Sequence, residues 1–257
     1  MIKKQIPNLF TLLNLFSGLI AVILAFSDRL IEAAFFVMLG IFFDFFDGFF
    51  ARLLKVSGEL GKQLDSLADM VTSGVAPGIV MFQMLLMATH GKWFMELSCE
   101  YKNWQSFGEM EWSYLPLLGL LIPLASAYRL AKFNIDERQT SSFIGLPTPA
   151  LSLFVVSLPL ILNSSDISFF TEILKNKYVL IGITLIGSYL LNAELPLFSL
   201  KFKDYSWKNN IAKYVFLILS VVLIIFLKTV AIPMIIILYV IISIVDNSMN
   251  KNKSLNS

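Results

Sequence analysis

The 257-residue chain has one histidine, His90, and one cysteine, Cys99. A lone cysteine excludes an internal disulfide framework. A lone histidine excludes a multi-histidine zinc site, and His90 reads as a loop residue. Charge is scarce as well: 15% of the residues are charged, where soluble globular chains carry about a quarter. The net charge is only +2, and no basic stripe with interleaved aromatics is present, so a nucleic-acid-binding surface is excluded. There is no internal repeat of the inverted kind found in many secondary transporters, and no segment reads as a separate soluble domain.

What is plentiful is apolar surface. Hydrophobic residues make up 57% of the chain, and the mean hydropathy of +0.75 places it among membrane proteins. The N-terminal "MIKKQIPNLFTLLNLFSGLIAVILAF" runs too long, and lacks the small-residue cleavage site, to be a signal peptide; it reads as a first membrane helix. A spanning helix needs about 20 mostly apolar residues. Eight segments qualify, near 8–27, 30–54, 60–88, 113–133, 146–163, 177–197, 211–228 and 230–248. The expected fold is therefore an all-α integral membrane protein with about eight transmembrane helices. Its single transmembrane domain covers residues 1–250, with a core over 5–200, two further helices over 211–248 and a disordered tail over 251–257. The loop 89–112 is polar, with tryptophans suited to the membrane interface. Pro77 is expected to kink the third helix; Pro147 and Pro149 suit the start of the fifth, where a missing N–H costs little.

Lysine and arginine set the orientation. With the N-terminus inside, 14 of the 20 basic residues fall on the cytoplasmic side. Both termini are then cytoplasmic, as an even number of helices requires.

Against this background, "FFDFFDGFFARLLKVSGELGKQLDSLADMV" at residues 42–71 is anomalous, because it places Asp44, Asp47, Asp65 and Asp69 in apolar sequence. Residues three or four apart share a helix face. Asp44 and Asp47 therefore pair on one helix, Asp65 and Asp69 on the next, and the turn around "KVSGELG" lets the two pairs face each other. Ionised carboxylates gathered in a partly dry place repel by roughly 4 kcal/mol per pair at 4 Å and an effective dielectric of about 20. Charge at membrane depth usually marks function. One divalent cation, or two, resolves the repulsion; an all-oxygen donor set points to Mg2+ or Mn2+, with Ca2+ as an alternative occupant. Gly48, Ala51, Gly58 and Gly61 leave room beside the carboxylates, although small residues also serve helix packing. Arg52 offers a positive fork for phosphate. Metal, arginine and space for a flat group together describe a nucleotide-diphosphate site.

The residues Asp44-x2-Asp47-Gly48-x2-Ala51-Arg52-x8-Gly61-x3-Asp65-x3-Asp69 match the signature of the CDP-alcohol phosphatidyltransferases without a gap or substitution, and the chain resembles that family. The resemblance implies a CDP-linked lipid and an alcohol as substrates, CMP as leaving group, and a homodimer. It also implies metal ligation by Asp44, Asp47, Asp65 and Asp69, with Asp69 as general base. The CDP-lipid would be held by Asp47, Gly48, Ala51, Arg52, Gly61 and Asp65. The segments "PNLFTLLNLFSGL", "LDSLADMVTSGVAPG", "RLAKFN" and "FIGLPTPA" are similar to membrane-embedded phosphatidylserine synthases over about residues 5–150, which implies CDP-diacylglycerol, L-serine and membrane lipids as partners.

A zwitterionic serine needs a cation for its carboxylate and acceptors for its ammonium. Arg129, Lys132, Asn134, Thr72 and Ser73 are the candidates for that pocket or for phosphate. Arg129 and Lys132 would otherwise be snorkelling positive-inside anchors, and Thr72 and Ser73 would otherwise bond their own helix backbone. Lys132 stands where many relatives carry arginine, which keeps the charge and loses the fork. With no Cys or His placed to carry the phosphatidyl group, direct displacement is preferred to a covalent intermediate. The expected location is the inner or plasma membrane of a prokaryote, with the site on the cytoplasmic side. Two alternatives remain: another acceptor, glycerol 3-phosphate or inositol phosphate, with the same aspartate core, or a divalent-metal transporter using the acidic cluster.

Overall fold

The computed structural model describes residues 2–56, 58–100, 114–136, 143–164, 168–198, 206–207 and 210–255. Helix α1 (Ile2–Phe26) turns at Ser27, Asp28 and Arg29 into α2 (Leu30–Leu53), and the two pack along their length. Their facing stripes are built of small residues. From α1 come Thr11, Asn14, Ser17, Ala21 and Ala25; from α2 come Ala33, Ala34, Val37 and Gly40, and all are buried. Small residues let helix backbones approach closely where lipid offers no hydrophobic drive between helices.

Helix α3 (Glu59–Asp69) passes through a π-helical turn, Met70–Val75, into α4 (Ala76–His90). Residues Ala76–Leu86 are buried throughout, which makes α4 the central helix. The irregularity near Pro77 takes the form of a π turn that runs unbroken into α4, with Pro77 directly after it, where the preceding turn's carbonyl loses the N–H a proline lacks. Next come α5 (Phe94–Glu100), a 3-10 segment (Leu115–Leu120) and α6 (Leu121–Ile135). Helices α7 (Thr148–Asn163) and α9 (Lys177–Asn192) pack against α4, with α8 (Ser168–Leu174) set against α7 and α9, and α10 (Ile211–Leu227) and α11 (Ala231–Leu255) follow. Pro147 caps α7 and Pro149 lies in its first turn, as expected. A two-residue strand pair joins β1 (Phe143–Ile144) to β2 (Pro196–Leu197), antiparallel, with Phe143 opposite Leu197.

Helices occupy all eight expected segments, but five stretches are long and apolar enough to cross a membrane: Gln5–Phe26, Leu30–Leu53, Glu59–His90, Leu115–Ile135 and Ile211–Ser248. Two features set the remaining expected spans apart. At 16 residues each, α7 and α9 are apolar but shorter than the roughly 20 residues of a typical crossing. The last two expected spans form one apolar stretch, interrupted at Lys228, whose φ is 47°. The helical backbone of α11 also continues to Leu255, past residue 251 where a tail was expected. No proline or glycine stops it, and lysine propagates a helix well. Residues 101–113, which take in the second half of the expected loop 89–112, and residues 199–205 lie outside the described residues.

Candidate active site

The four aspartates come from the C-terminal end of α2 and from α3, and the fold brings them together. Oxygens of Asp44, Asp47 and Asp65 lie within 4.8 Å of one another. The Asp44 carboxyl is within hydrogen-bonding reach of both Asp65 and Asp69, which places the fourth carboxylate on the same cluster. Asp47 is buried; the other three are half-buried. Among the described residues, no lysine or arginine forms an ion pair with any of them. Clustered carboxylates without a basic partner, with no His or Cys donor beside them, fit a hard divalent cation.

Helix α1 supplies neutral donors. Thr11 Oγ1 donates to Asp47 Oδ2 at 2.7 Å, and Asn14 Nδ2 donates to Asp69 Oδ1 at 3.2 Å. Neither was singled out from the sequence. The signal was available: Asn8, Thr11, Asn14 and Ser17 recur every three residues in an apolar helix, a polar stripe turned inward. What the sequence does not show is which carboxylate each one meets, since those contacts span 36 and 55 residues.

The glycines divide into two kinds. A Cβ on Gly40 would stand 2.6 Å from Thr72 Cγ2 and 3.0 Å from Asn14 Oδ1, so Gly40 serves helix packing. A Cβ on Gly48 would meet nothing nearer than Arg52 at 4.0 Å, and one on Gly61 nothing nearer than Asn8 Oδ1 at 3.5 Å. Gly58 has no neighbour within 4 Å. The glycines beside the aspartates therefore border open space. Ala51 is half-buried on the same turn, and Arg52 is exposed, its Nε donating to Gly48 O at 2.9 Å.

The residues considered for serine or phosphate spread over several environments. Thr72 is fully buried, and its hydroxyl donates to Asn14 O at 3.0 Å, a packing contact between the π turn and α1. Ser73 is buried, and among the described residues its oxygen has no hydrogen-bond partner. Arg129 does not snorkel. It is 6% exposed, with Nε donating to Leu146 O at 2.5 Å and Nη2 to Gly145 O at 3.4 Å. It thereby holds the loop before α7 against α6. That loop needs its glycine: Gly145 has φ +76°, and a Cβ there would stand 2.6 Å from Leu191 O. Lys132 lines a small recess with Arg129 and Asn192, and its Nζ lies 3.7 Å from Glu194 at the surface. Asn134 ties α6 to α3: its Nδ2 donates to Ser66 Oγ at 2.9 Å, and its carbonyl accepts from Lys62 Nζ at 2.7 Å.

Comparison with known proteins gives a consistent answer. The family model for CDP-alcohol phosphatidyltransferase matches residues 4–191. The chain is 32% identical over 164 residues to the CDP-diacylglycerol–serine O-phosphatidyltransferase of Bacillus subtilis, covering 62% of this chain and 78% of the relative. It is 29% identical over 219 residues to the protein of that name from Helicobacter pylori strain 26695, covering 84% of this chain and 80% of the relative. The archaetidylserine synthase of Methanothermobacter thermautotrophicus is 28% identical over 167 residues, 63% of this chain and 61% of the relative.

Proposed function

The chain belongs to the CDP-alcohol phosphatidyltransferase family, and from that premise we propose that it transfers the phosphatidyl group of CDP-diacylglycerol to L-serine, releasing phosphatidylserine and CMP. The observation that carries this reading is the convergence of four carboxylates from α2 and α3 beside open glycines, in a chain whose serine-transferring relatives align over most of their length.

Asp44, Asp47 and Asp65, with Asp69 at the edge, would hold Mg2+ or Mn2+, with Ca2+ as an alternative occupant and two ions as the proposed number. Such a cation, when bound, neutralises the diphosphate and the charge that develops on departing CMP. The protein's own groups do the rest. Gly48, Ala51 and Gly61 leave the nucleotide its space, and Asp47 and Asp65 border it. Arg52, anchored through Nε to Gly48 O, offers its terminal nitrogens to phosphate. The Asp69 carboxylate accepts the proton of the serine hydroxyl as that oxygen bonds to the lipid-side phosphorus and the bond from phosphorus to the CMP oxygen breaks. The displacement is direct, and the rate gain comes from positioning and charge. Arg129, with Lys132, serves the serine carboxylate or phosphate. Ser73, whose buried oxygen has no partner, is the better acceptor for the ammonium than Thr72, whose hydroxyl is committed to Asn14; Asn134 positions α3 beside them.

The finer topology is part of the same proposal. The chain crosses the membrane eight times as a single catalytic domain over 1–250, with α7 and α9 as short crossings, both termini and the active site cytoplasmic, and the enzyme working as a homodimer in the inner or plasma membrane of a prokaryote.

An acceptor panel tests the reading. Purified protein in detergent with CDP-diacylglycerol and Mn2+ or Mg2+ is expected to release CMP with L-serine. Release with glycerol 3-phosphate or inositol phosphate and none with serine would assign the acceptor differently. Metal flux in vesicles without CMP release would replace transfer with transport.

A further inference from the structure

Asn14 is fully buried on α1, and its amide has one hydrogen-bond partner, the Asp69 carboxylate. Every other contact around it fixes its place. Its backbone carbonyl accepts from Thr72 Oγ1 at 3.0 Å, across to the π turn that follows Asp69. Gly40 of α2 lies against its Oδ1, at a position where a side chain would strike both Asn14 and Thr72. Gly18, one turn further along α1, closes on Thr72 with no room for a Cβ. The Asn14 side chain is thus held in a slot between α1, α2 and the π turn, aimed at one oxygen of Asp69.

The amide has one productive orientation. Among the described residues its Oδ1 has no hydrogen-bond partner. Flipping the amide would turn that oxygen towards a carboxylate oxygen, replacing an attraction with a repulsion. A buried acceptor without a partner costs free energy, and a leucine of similar shape would avoid that cost. What leucine lacks is the donor to Asp69. The packing alone therefore does not account for an asparagine here.

We infer that Asn14 is a positioning residue for the phosphatidyl-transfer step: it holds Asp69 Oδ1 so that the other carboxylate oxygen faces the acceptor hydroxyl. The inference rests on Asp69 as the proton acceptor in the proposed function. It also divides the cluster. α1 steadies Asp47 through Thr11 and Asp69 through Asn14, while among the described residues no α1 donor reaches Asp44 or Asp65.

The test compares Asn14→Leu, which fills the slot without a donor, with Asn14→Ala, which empties it, and with wild type and Asp69→Asn. Partners that orient a functional group are worth about 10–100-fold in activity. Asn14→Leu is expected to lose kcat by about that factor, with KM for serine and for CDP-diacylglycerol within about twofold of wild type and the detergent-solubilised Tm unchanged. Asn14→Ala is expected to lose kcat equally while also lowering Tm. Wild-type kcat in Asn14→Leu, or a loss confined to Asn14→Ala and tracking its Tm, would overturn the positioning role. The Asp69→Asn arm separates the two readings. An active Asp69→Asn removes the base assignment itself, whereas an inactive Asp69→Asn beside a fully active Asn14→Leu removes only the role of Asn14.

Discussion

Gly40 and Gly48 stand on the same helix and answer to different demands. Gly40→Ala would push a methyl into Thr72 and Asn14, and overpacking of this kind costs about 1–3 kcal/mol; the expected result is a lower Tm, read by thermal unfolding in detergent. Gly48→Ala meets no protein atom within contact distance. Its Tm should stay at the wild-type value while KM for CDP-diacylglycerol rises, because in the proposed site the methyl would enter the space left for the nucleotide. A KM unchanged in Gly48→Ala would remove that glycine from the nucleotide site. Thr11→Val keeps the shape and deletes the donor to the buried Asp47. Leaving a buried charged acceptor short of a partner costs about 1–3 kcal/mol, and affinity for Mn2+ should fall by about 10–100-fold. The four aspartates were legible in the sequence because their spacing is local and helical geometry follows from spacing. Thr11 and Asn14 were not assigned, because a polar residue in an apolar helix does not announce which distant side chain it meets. Arg129 stood out in the sequence as a candidate for carboxylate or phosphate, but its bonds to the loop before α7 did not: a guanidinium fork binds backbone carbonyls as readily as phosphate, and only the fold shows Leu146 and Gly145 within its reach.

At the scale of elements, the turn between α1 and α2 is the mirror of the active-site end. Asp28 sits there at φ 62° and accepts from Gln83 Nε2 at 3.0 Å, while Gln83 also bonds Ala25 O and the N–H of Phe94. This latch joins the α1–α2 turn to α4 and α5. Burial pushes the Asp28 carboxyl above its ordinary value of 3.8. The folded state therefore holds the proton more tightly than the unfolded one, so this group's contribution to stability falls as pH rises from 3.8 to the raised value and stays low above it. Asp28→Asn keeps the acceptor and suits the left-handed backbone. It should raise Tm at neutral pH and flatten the pH dependence of Tm at the acid end. Asp28→Ala loses the acceptor and strains the turn, and should cost about 1–2 kcal/mol. A Tm in Asp28→Asn below that of wild type at neutral pH would contradict this account of the latch. Helix positions were legible from hydropathy, but the π turn was not. Pro77 signals an irregularity without giving its form, the π turn at Met70–Val75.

Across the whole molecule, one helical frame gathers the acidic cluster at one end and exposes apolar side chains on its outer face, among them Phe35, Phe45, Ile218 and Phe226. Membrane character and helical class were readable from composition alone. The number of crossings was not, because α7 and α9 are apolar yet shorter than a bilayer is thick. Chelation acts at this scale too. With the cation removed, carboxylates gathered within 4.8 Å have no ion-pair partner among the described residues, so EDTA should abolish CMP release and lower Tm, and Mn2+ or Mg2+ should restore both. A ligand present at 100 times its Kd contributes about 2.7 kcal/mol of stability, a shift readily measured. The most direct test of the central claim is incorporation of radiolabelled L-serine into lipid by purified protein supplied with CDP-diacylglycerol and metal, with wild type and Asp69→Asn compared side by side. The account predicts label in phosphatidylserine with wild type, matched by CMP release, and a loss of about 100- to 10,000-fold in a folded Asp69→Asn. Wild type that leaves serine out of lipid, or an Asp69→Asn variant as active as wild type, would contradict it.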